Sequence, residues 1–357
     1  MTADSKTAVD DLPQKADSKL IYTESELMRD HEYATEHLVD GRRMHGGFLA
    51  DGTYQPPRAL VREPALDAWG AALLDRGGVL FDADASLLDG ERVPSVEQSR
   101  VLLRNDLGAS FWNSLTITGK IEARGRILAE ITFPDLQPVI IEDISEMAIA
   151  HLNTGLLRAH GIDEGGDPAN GIGGHDEMWF VARDLAFGIN AHPDVDPPEN
   201  IARPEAGKRL MPELPAEIEG VLSLLMNLLM IEFRAEIGFA SSQAILLTSD
   251  LFADRRPGAQ QAAEIIGRIR TDEEIHVRSL QLYLGELSSV TFRTIDGASV
   301  SGAELIGRFW GGLVHWATVE QPPLFAAQQH DLIVARIAAH PDADRVMAEF
   351  VAAADAV

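Results

Sequence analysis

The sequence predicts an all-α fold in which four consecutive helices form a bundle, and three observations support this. Apolar residues recur at helical spacing in four segments, at about 138–160, 176–188, 215–249 and 258–286. Stretches rich in glycine and proline separate these segments, and prolines begin the third and fourth, where the first N–H groups of a helix lack partners anyway. Hydrophobic residues make up 45% of the 357 positions, enough to bury a full core.

The remaining regions are expected to extend the bundle, which itself spans 138–286. Residues 1–22 are polar and typical of a mobile tail. Residues 23–137 are expected to be an N-terminal extension, with a loop at 41–57 and helical segments at 24–39, 63–75 and 94–115. Residues 287–357 are expected to pack on the bundle as a short hairpin followed by helices at 302–320, 323–339 and 342–355.

Composition excludes several classes of function. The chain has no cysteine, which excludes disulfides, iron–sulfur clusters, thiolate zinc sites and cysteine nucleophiles. Its net charge of -26 would repel a phosphate backbone, so a nucleic-acid partner is not expected. No run approaches the roughly 20 apolar residues that span a bilayer, and the start lacks the apolar core of a secretory signal. We therefore expect a soluble cytoplasmic protein.

The fourth predicted helix carries the motif Asp-Glu-x-x-His. Residues three apart share one face of a helix, so Glu273 and His276 can bind the same ion. On the third helix, Glu236 lies 37 positions before Glu273 in an otherwise apolar stretch. A carboxylate there is costly to bury unless it is paired or bound to a metal.

A similar but incomplete pattern occurs upstream. Glu146 on the first predicted helix lies 31 positions before Glu177, which follows Asp176 as Glu273 follows Asp272. Phe180 stands where a histidine would complete the second copy. A Glu from each of two helices and a Glu-x-x-His from each of the others is the ligand pattern of a four-helix dinuclear metal site.

On these motifs the chain resembles the ferritin-like di-iron carboxylate superfamily over roughly residues 138–286. The resemblance implies a ferritin-like four-helix bundle, with Glu177 and Glu273 bridging two irons. One iron would also bind Glu236 and His276, and the other Glu146. Asp272 would accept a hydrogen bond from a ligand histidine of the other half, and Asp176 is its upstream counterpart.

Several alternatives remain open at this stage. Another histidine could replace the one missing at Phe180, and the candidates are, in order, His315, His175 and His151. Glu142 competes with Glu146. Glu232 competes with Glu236, although its separation of 41 from Glu273 is longer than the usual range. The result could be a dinuclear site, a mononuclear site or no metal site.

Other side chains have simpler expected roles. Trp179, Phe180 and Phe233 are expected to line the core or an apolar substrate cavity. Surface or capping positions are expected for the remaining histidines, which are His31, His37, His45, His160, His192, His330 and His340.

The resemblance implies an oxidoreductase that activates O₂ to oxidise a small organic substrate, using an external electron donor. The reaction could be hydroxylation, N-oxygenation, desaturation or oxidative cleavage. Two iron ions are expected and one is allowed, and manganese is not excluded because cellular supply influences which metal is bound. A homodimer is also allowed. The alternative is a ferritin-like binding or assembly protein that holds little or no metal.

Overall fold

The computed structural model describes residues 19–88, 90, 93–204 and 207–354, and this part of the chain is mostly helical, as predicted. The helices are α1 Glu24–Leu27, α2 Ala59–Asp75, α3 Val96–Arg104, α4 Ala109–Gly125, α5 Leu157–Gly165, α6 His175–Phe187, α7 Ala216–Leu247, α8 Arg256–Ser289, α9 Gly302–His315, α10 Gln321–Ala338 and α11 Ala343–Ala354. The strands are β1 Thr35–Val39, β2 Arg42–Phe48, β3 Tyr54–Gln55, β4 Thr291–Arg293 and β5 Ser299–Ser301.

The predicted tail, 1–22, lies largely outside the described residues, which begin at 19. Its last residues are packed against the fold. The indole nitrogen of Trp69 donates to the carbonyl oxygen of Leu20 at 2.9 Å, and the ring of Tyr22 lies edge-on to Trp69 with centroids 5.1 Å apart. Residues 19–22 therefore belong to the folded part of the chain.

The predicted helix at 24–39 is wrong beyond its first turn. After α1, the chain forms an antiparallel sheet in the order β1-β2-β3, and this sheet occupies most of the predicted loop at 41–57. His37 and Val39 of β1 are buried and alternate with exposed residues, which is the period of a strand. Asp40 and Gly41 both have positive φ, as the two central residues of a tight hairpin turn require.

The predicted helix at 94–115 is two helices. A capping box between Ser95 and Gln98 starts α3, which ends at Arg104. Asp106 has a φ of 56°, which interrupts the helical path before α4 begins. Because α4 then continues to Gly125, it extends ten residues beyond the predicted end.

The predicted helix at 138–160 is mostly irregular. An α-helix begins only at Leu157, after a short 3₁₀ segment and a π-helical segment. Before them, the amide side chain of Gln137 donates to the carbonyl of Glu142 and accepts from the N–H of Ile144. Such side-chain bonds give the backbone an alternative to a helix. The regular spacing of apolar residues correctly predicted that this segment contributes to the core, but it incorrectly predicted that the whole segment is an α-helix.

Helices α4, α6, α7 and α8 pack side by side, and we call them, together with α5, the central helices. The start of α4, at Gly108, meets the end of α6, and the end of α6 meets the start of α8. Arg256 at the start of α8 donates to the carbonyl of Leu246 at the end of α7. Successive neighbours in the order α4, α6, α8, α7 are therefore antiparallel. Because α4 is one of these helices, the predicted boundary at 137 does not separate an extension from the centre of the fold.

The C-terminal region follows the prediction closely. Strands β4 and β5 form the expected hairpin, and α9 then packs along α7 and α8. Helix α11 packs on α3, where Ile333 and Phe350 join a small apolar cluster around Leu102. Among the described helices, none combines the length and the apolar character needed to cross a bilayer.

Candidate metal centre

Nine acidic and histidine side chains meet inside the central helices, and none is more than 6% exposed. We call them the buried cluster: Glu122 on α4, His160, Asp163 and Glu164 on α5, His175 on α6, Glu232 on α7, and Asp272, Glu273 and His276 on α8. Burying so many ionisable groups is costly unless they are paired or bind cations. Ion pairs or bound cations are therefore needed to offset the cost of burying these nine side chains.

Potential ligand atoms among the described residues form two groups of four and one group of three (His45, His175 and Asp272), and the atoms within each group lie within 4.8 Å of one another. The first group of four is His160, Glu164, Glu232 and His276, and the second is Glu122, Glu164, His175 and Glu273. Nitrogen and oxygen ligands bind ions such as Zn²⁺ at about 2.0–2.2 Å, so four atoms this close together can surround one ion. Glu164 belongs to both groups, which makes the two positions neighbours.

Glu273 also spans the two groups. Its Oε2 atom lies 2.7 Å from Nδ1 of His276, and its Oε1 atom lies 3.0 Å from Nδ1 of His175. Each oxygen therefore faces a histidine of a different group. The carboxylates of Glu164 and Glu273 are both placed to bridge two cations.

The histidine rings are oriented by carboxylates on their outer sides. Nε2 of His276 lies 3.1 Å from Oδ2 of Asp163, and Nε2 of His175 lies 3.4 Å from Oδ2 of Asp272. An outer carboxylate of this kind fixes the ring so that the other nitrogen faces a metal. For both histidines that other nitrogen is Nδ1, which faces the cluster.

Within the described part of the chain, two histidine nitrogens in the cluster make no well-directed hydrogen bond, although each has a carboxylate oxygen 3.0 Å away. They are Nε2 of His160 and Nδ1 of His175, and both rings are almost fully buried. Buried polar atoms in proteins are nearly always hydrogen-bonded. Since a metal ion would satisfy both atoms, the donor set fits a metal centre.

Two buried arginines compensate part of the negative charge. Arg58 contacts Oδ1 of Asp163 through Nε at 3.0 Å, and Arg62 contacts Oδ2 at 2.7 Å. Burial opposes ionisation of Asp163, but the two guanidinium groups outweigh it and hold its pKa well below the usual value. Asp163 therefore stays ionised while it orients His276.

The other carboxylates compete with one another for charge. Burial raises the pKa of Glu164 well above its usual value, and the carboxylates of Glu122 and Glu273 raise it further. Burial likewise raises the pKa of Glu232 well above its usual value, and the carboxylate of Glu273 raises it further. Burial also opposes ionisation of Glu273, but His276 and His175 outweigh it and hold its pKa well below the usual value. Additional cations are needed for all these carboxylates to ionise together.

Glu164 and His175 form a second Glu–His pair, which the sequence pattern lacked. A loop separates the two residues in the sequence. Residues 166–173 form a short excursion closed by an antiparallel bridge between Asp167 and Ile172. A Cβ atom on Gly174 would lie 2.3 Å from the backbone nitrogen of Gly166, so the two ends of the excursion nearly touch. Without these eight residues, Glu164 and His175 would be three positions apart, as Glu273 and His276 are.

The excursion also docks the N-terminal sheet. The N–H of Gly173 donates to the carbonyl of Arg43 at 2.9 Å, and the N–H of His45 donates to the carbonyl of Gly173 at 2.9 Å. Nε2 of His45 then lies 3.1 Å from Oδ2 of Asp272, to which the hydroxyl of Tyr54 also donates, at 2.9 Å. The sheet therefore supplies two neutral hydrogen-bonding groups to Asp272.

Deleting residues 166–173 is expected to leave the metal ligands in place. The deletion would join Gly165 to Gly174 and give a continuous α5–α6 helix in which Glu164 and His175 share one face. We expect metal binding equal to that of the unaltered chain, measured by elemental analysis after anaerobic loading with Fe²⁺. Loss of metal from a variant that keeps its helical circular-dichroism spectrum would contradict this account of the motif.

Three of the predicted ligands lie outside the buried cluster. Glu146 is exposed and lies in a turn just before the 3₁₀ segment Ala148–His151. Glu177 lies in the first turn of α6 and pairs with Arg42 at 2.8 Å. Glu236 pairs with Arg270, whose Nε lies 3.0 Å from its Oε2, because residue 236 is one turn beyond Glu232 on α7. The structure therefore brings none of these three residues into the buried cluster.

Glu273 and His276 are in the cluster, as is His175, the second choice for the missing histidine. The first and third choices lie elsewhere. The side chain of His315 is 60% exposed, and the ring of His151 bonds to the carbonyl of Met147. Glu142 instead accepts the N–H of Thr291, which fixes the β4 end of the hairpin.

Of the two predicted supporting residues, Asp272 lies in the buried cluster and Asp176 does not. Asp272 does lie beside a histidine of the other half, as expected. Asp176 instead accepts the N–H of Glu177 at 2.7 Å in the first turn of α6, and burial raises its pKa. Of the histidines expected at the surface, His37, His45 and His160 are at most 3% exposed.

The aromatic residues assigned to a substrate cavity lie in the apolar interior or at its edge. Trp179 packs on Phe239 with ring centroids 4.8 Å apart, and Phe233 lies 6.4 Å from Trp310. Phe180 lies beneath the guanidinium of Arg183. A surface hollow of about 370 Å³ is lined by residues between 134 and 153 and includes none of the three. Their role in binding a substrate stays a prediction.

Four members of the buried cluster were not predicted as ligands or supporting residues, namely Glu122, His160, Asp163 and Glu164, and a fifth, Glu232, was only the alternative to Glu236. Two signals could have found them. Asp163-Glu164 is another Asp-Glu pair, which resembles Asp272-Glu273. Glu122 precedes Glu164 by 42 positions and Glu232 precedes Glu273 by 41, so the long separation that argued against Glu232 occurs in both halves.

The chain matches no protein-family model, and its comparisons with curated proteins and with solved structures find no match.

Proposed function

We propose that this chain is an oxidoreductase with a dinuclear non-haem iron centre, which uses O₂ to oxidise a small organic substrate. The buried cluster would hold the two ions. The central helices would correspond to a ferritin-like four-helix bundle, with α5 and α6 together forming one interrupted helix. An external electron donor would return the ions to the ferrous state after each turnover.

The observation that carries the proposal is the pair of four-atom ligand groups joined by Glu164 and spanned by Glu273. Aspartates precede Glu164 and Glu273 in the sequence. Every central helix would contribute ligands: α4 gives Glu122, α5 gives Glu164 and His160, α6 gives His175, α7 gives Glu232, and α8 gives Glu273 and His276. This is the arrangement described for dinuclear carboxylate sites in helical bundles. His160 adds one imidazole to that set.

Charge balance supports two divalent ions. The cluster contains six carboxylates, and the side chains of Arg58 and Arg62 are buried beside it. Without bound metal, burial opposes protonation of His175 and His276, but the nearby carboxylates outweigh it and raise the pKa values of both rings, so these rings are protonated. If metal ions replace those protons and all eight charged groups are ionised, four negative charges remain, which two divalent cations would neutralise. Carboxylates and imidazoles are ligands that suit iron.

The side chains of the cluster would divide the work of the centre. When bound, the two iron ions supply electrons for the reduction of O₂. Asp163 and Asp272 hold His276 and His175 with their Nδ1 atoms facing inward, and burial of every ligand keeps bulk water away from the ions. Arg58 and Arg62 keep Asp163 ionised, so that it continues to accept the Nε2 proton of His276.

A matched pair of variants on α7 tests the assignment of ligands. Glu232→Gln is expected to lower iron content to at most one ion per chain, because Glu232 is the α7 carboxylate in the cluster. Glu236→Gln, one helical turn away, is expected to keep two ions because its partner is Arg270. Iron is measured by elemental analysis after anaerobic loading and desalting.

The outcomes separate the proposed function from its rivals. Two ions in the unaltered chain and in Glu236→Gln, with loss in Glu232→Gln, support the dinuclear centre. One ion in the unaltered chain would support a mononuclear centre instead. No bound metal in the unaltered chain would contradict the proposal and favour a binding or assembly protein.

A further inference from the structure

The two metal positions differ in their ligand atoms. The group formed by His160, Glu164, Glu232 and His276 has two imidazoles and two carboxylates, to which the bridging Glu273 adds a third carboxylate, and we call it the nitrogen-rich position. The group formed by Glu122, Glu164, His175 and Glu273 has one imidazole and three carboxylates, and we call it the oxygen-rich position. Resting on the proposed function, we infer that the two positions select different metals, with Fe²⁺ in the nitrogen-rich position and Mn²⁺ accepted in the oxygen-rich position.

The asymmetry arises from His160, which has no counterpart in the other half. His160 lies four residues before Glu164, and the residue four before Glu273 is Ile269, which is fully buried and offers no ligand atom. Nε2 of His160 lies 3.0 Å from Oε1 of Glu232, and its ring stacks on His276 with centroids 3.7 Å apart. The extra imidazole is therefore held within the nitrogen-rich position.

The charges around the two positions reinforce this difference. Asp163, behind His276, is shared with the guanidinium groups of Arg58 and Arg62. Asp272, behind His175, instead accepts from the hydroxyl of Tyr54 and lies beside Nε2 of His45. The oxygen-rich position therefore has the more negative surroundings.

The extra imidazole and the difference in surrounding charge both favour Fe²⁺ at the nitrogen-rich position relative to the oxygen-rich position. Binding at the nitrogen-rich position depends more on metal–nitrogen bonds, which strengthen from Mn²⁺ to Fe²⁺ along the Irving–Williams series. Binding at the oxygen-rich position depends more on the attraction between a dication and carboxylates, which suit Mn²⁺. When both metals are supplied, the first position should discriminate between them more strongly than the second.

The inference is tested by loading the metal-free full chain anaerobically with Fe²⁺ and an excess of Mn²⁺. Elemental analysis gives the total of each metal, and anomalous diffraction from crystals at the iron and manganese absorption edges gives their ratio at each position. We expect the Fe-to-Mn ratio to be roughly tenfold higher at the nitrogen-rich position, a factor within the range by which changes around metal ligands alter affinity. An equal or reversed ratio would overturn the inference.

A variant assigns the selectivity to His160. His160→Leu is expected to bring the two ratios close together, whereas Glu236→Gln, outside the cluster, should keep the difference. If His160→Leu bound metal with the original ratios, the role assigned to His160 would be wrong. If that variant fails to fold, the ratios in the unaltered chain still decide. Two bound ions with equal ratios refute this inference and leave the proposed function standing, whereas no bound metal refutes the proposed function.

Discussion

If the buried cluster binds metal ions as proposed, Glu164→Gln is expected to abolish the stabilisation that they would give to this protein. Glu164 belongs to both groups of ligand atoms, and its Oε1 atom lies 3.3 Å from Nδ1 of His276 and 3.8 Å from Nδ1 of His175. A free metal concentration of 100 times Kd stabilises a folded protein by about 2.7 kcal/mol per site, so two sites add about 5 kcal/mol. Glutamine keeps the shape of the side chain but cannot bridge two cations as a carboxylate does.

The measurement compares urea unfolding with and without metal ions. The unaltered chain should lose about 5 kcal/mol when a chelator is added, whereas Glu164→Gln should be insensitive to the chelator. Without metal, the two proteins should unfold alike, because burial and the nearby carboxylates already favour the neutral form of Glu164. Glu177→Gln is the matched control, since Glu177 also follows an aspartate but pairs with Arg42 outside the cluster. Metal-dependent stability that survives in Glu164→Gln would contradict the shared position of this residue.

Asp163→Asn is expected to destabilise the metal-free protein by about 3–5 kcal/mol, the usual cost of leaving buried charges without their partner. Asp163 is the carboxylate that contacts both Arg58 and Arg62, and these arginines are 8% and 2% exposed. With asparagine, two positive charges would remain buried beside a neutral group. The change is measured as the free energy of unfolding in the presence of a chelator.

Asp250→Asn is the control for this change. Asp250 pairs with Arg104 at the surface, where water and salt screen the charges, and little effect is expected. The pH dependence gives a second check. Because the folded-state pKa of Asp163 lies well below 3.8, its ionisation stabilises the fold above that pH, and this contribution is lost as the pH falls below about 4. Asp163→Asn should lack this part of the acid sensitivity. An unchanged free energy of unfolding would show that the arginines find other partners.

The second half of the candidate site could be predicted because its motif is local. Glu273 and His276 lie on one uninterrupted helix, α8, where a spacing of three residues determines that they share a face. The carboxylate on α7 was placed one turn too far along, at Glu236. Both positions lie on nearly the same face, and the partner that distinguishes them, Arg270, belongs to another helix. A single helical pattern does not contain that information.

The first half could not be predicted from spacing because the chain is interrupted between its ligands. Glu164 and His175 are eleven positions apart in the sequence. Only the close approach of Gly166 and Gly174 brings them into the relation that three positions would give. The spacing pattern instead indicates Glu177, which follows an aspartate but pairs with Arg42. His160 was assigned to the surface because the sequence around it is polar, although its polar neighbours Asp163 and Glu164 are themselves buried.

The fold shows the same division between local and long-range information. The long helices α7 and α8 and the β4–β5 hairpin were predicted because apolar periodicity and turn residues determine them locally. The β1–β2 hairpin was missed although Asp40 and Gly41 mark its turn. Its strands are short, and β2 is further held by backbone bonds to Gly173, which is 128 positions beyond His45.

The contact between β2 and Gly173 links two parts of the molecule mechanically. Gly173 is separated from His175 by one residue, so a displacement of the N-terminal sheet would pull directly on the start of α6. The same sheet holds Asp272 through His45 and Tyr54. The His175 ring is thus linked to the sheet in two ways. One link is the backbone that carries the ring, and the other is Asp272, which lies beside its Nε2 atom. The half of the centre that contains His276 has no such attachment to the sheet among the contacts described above.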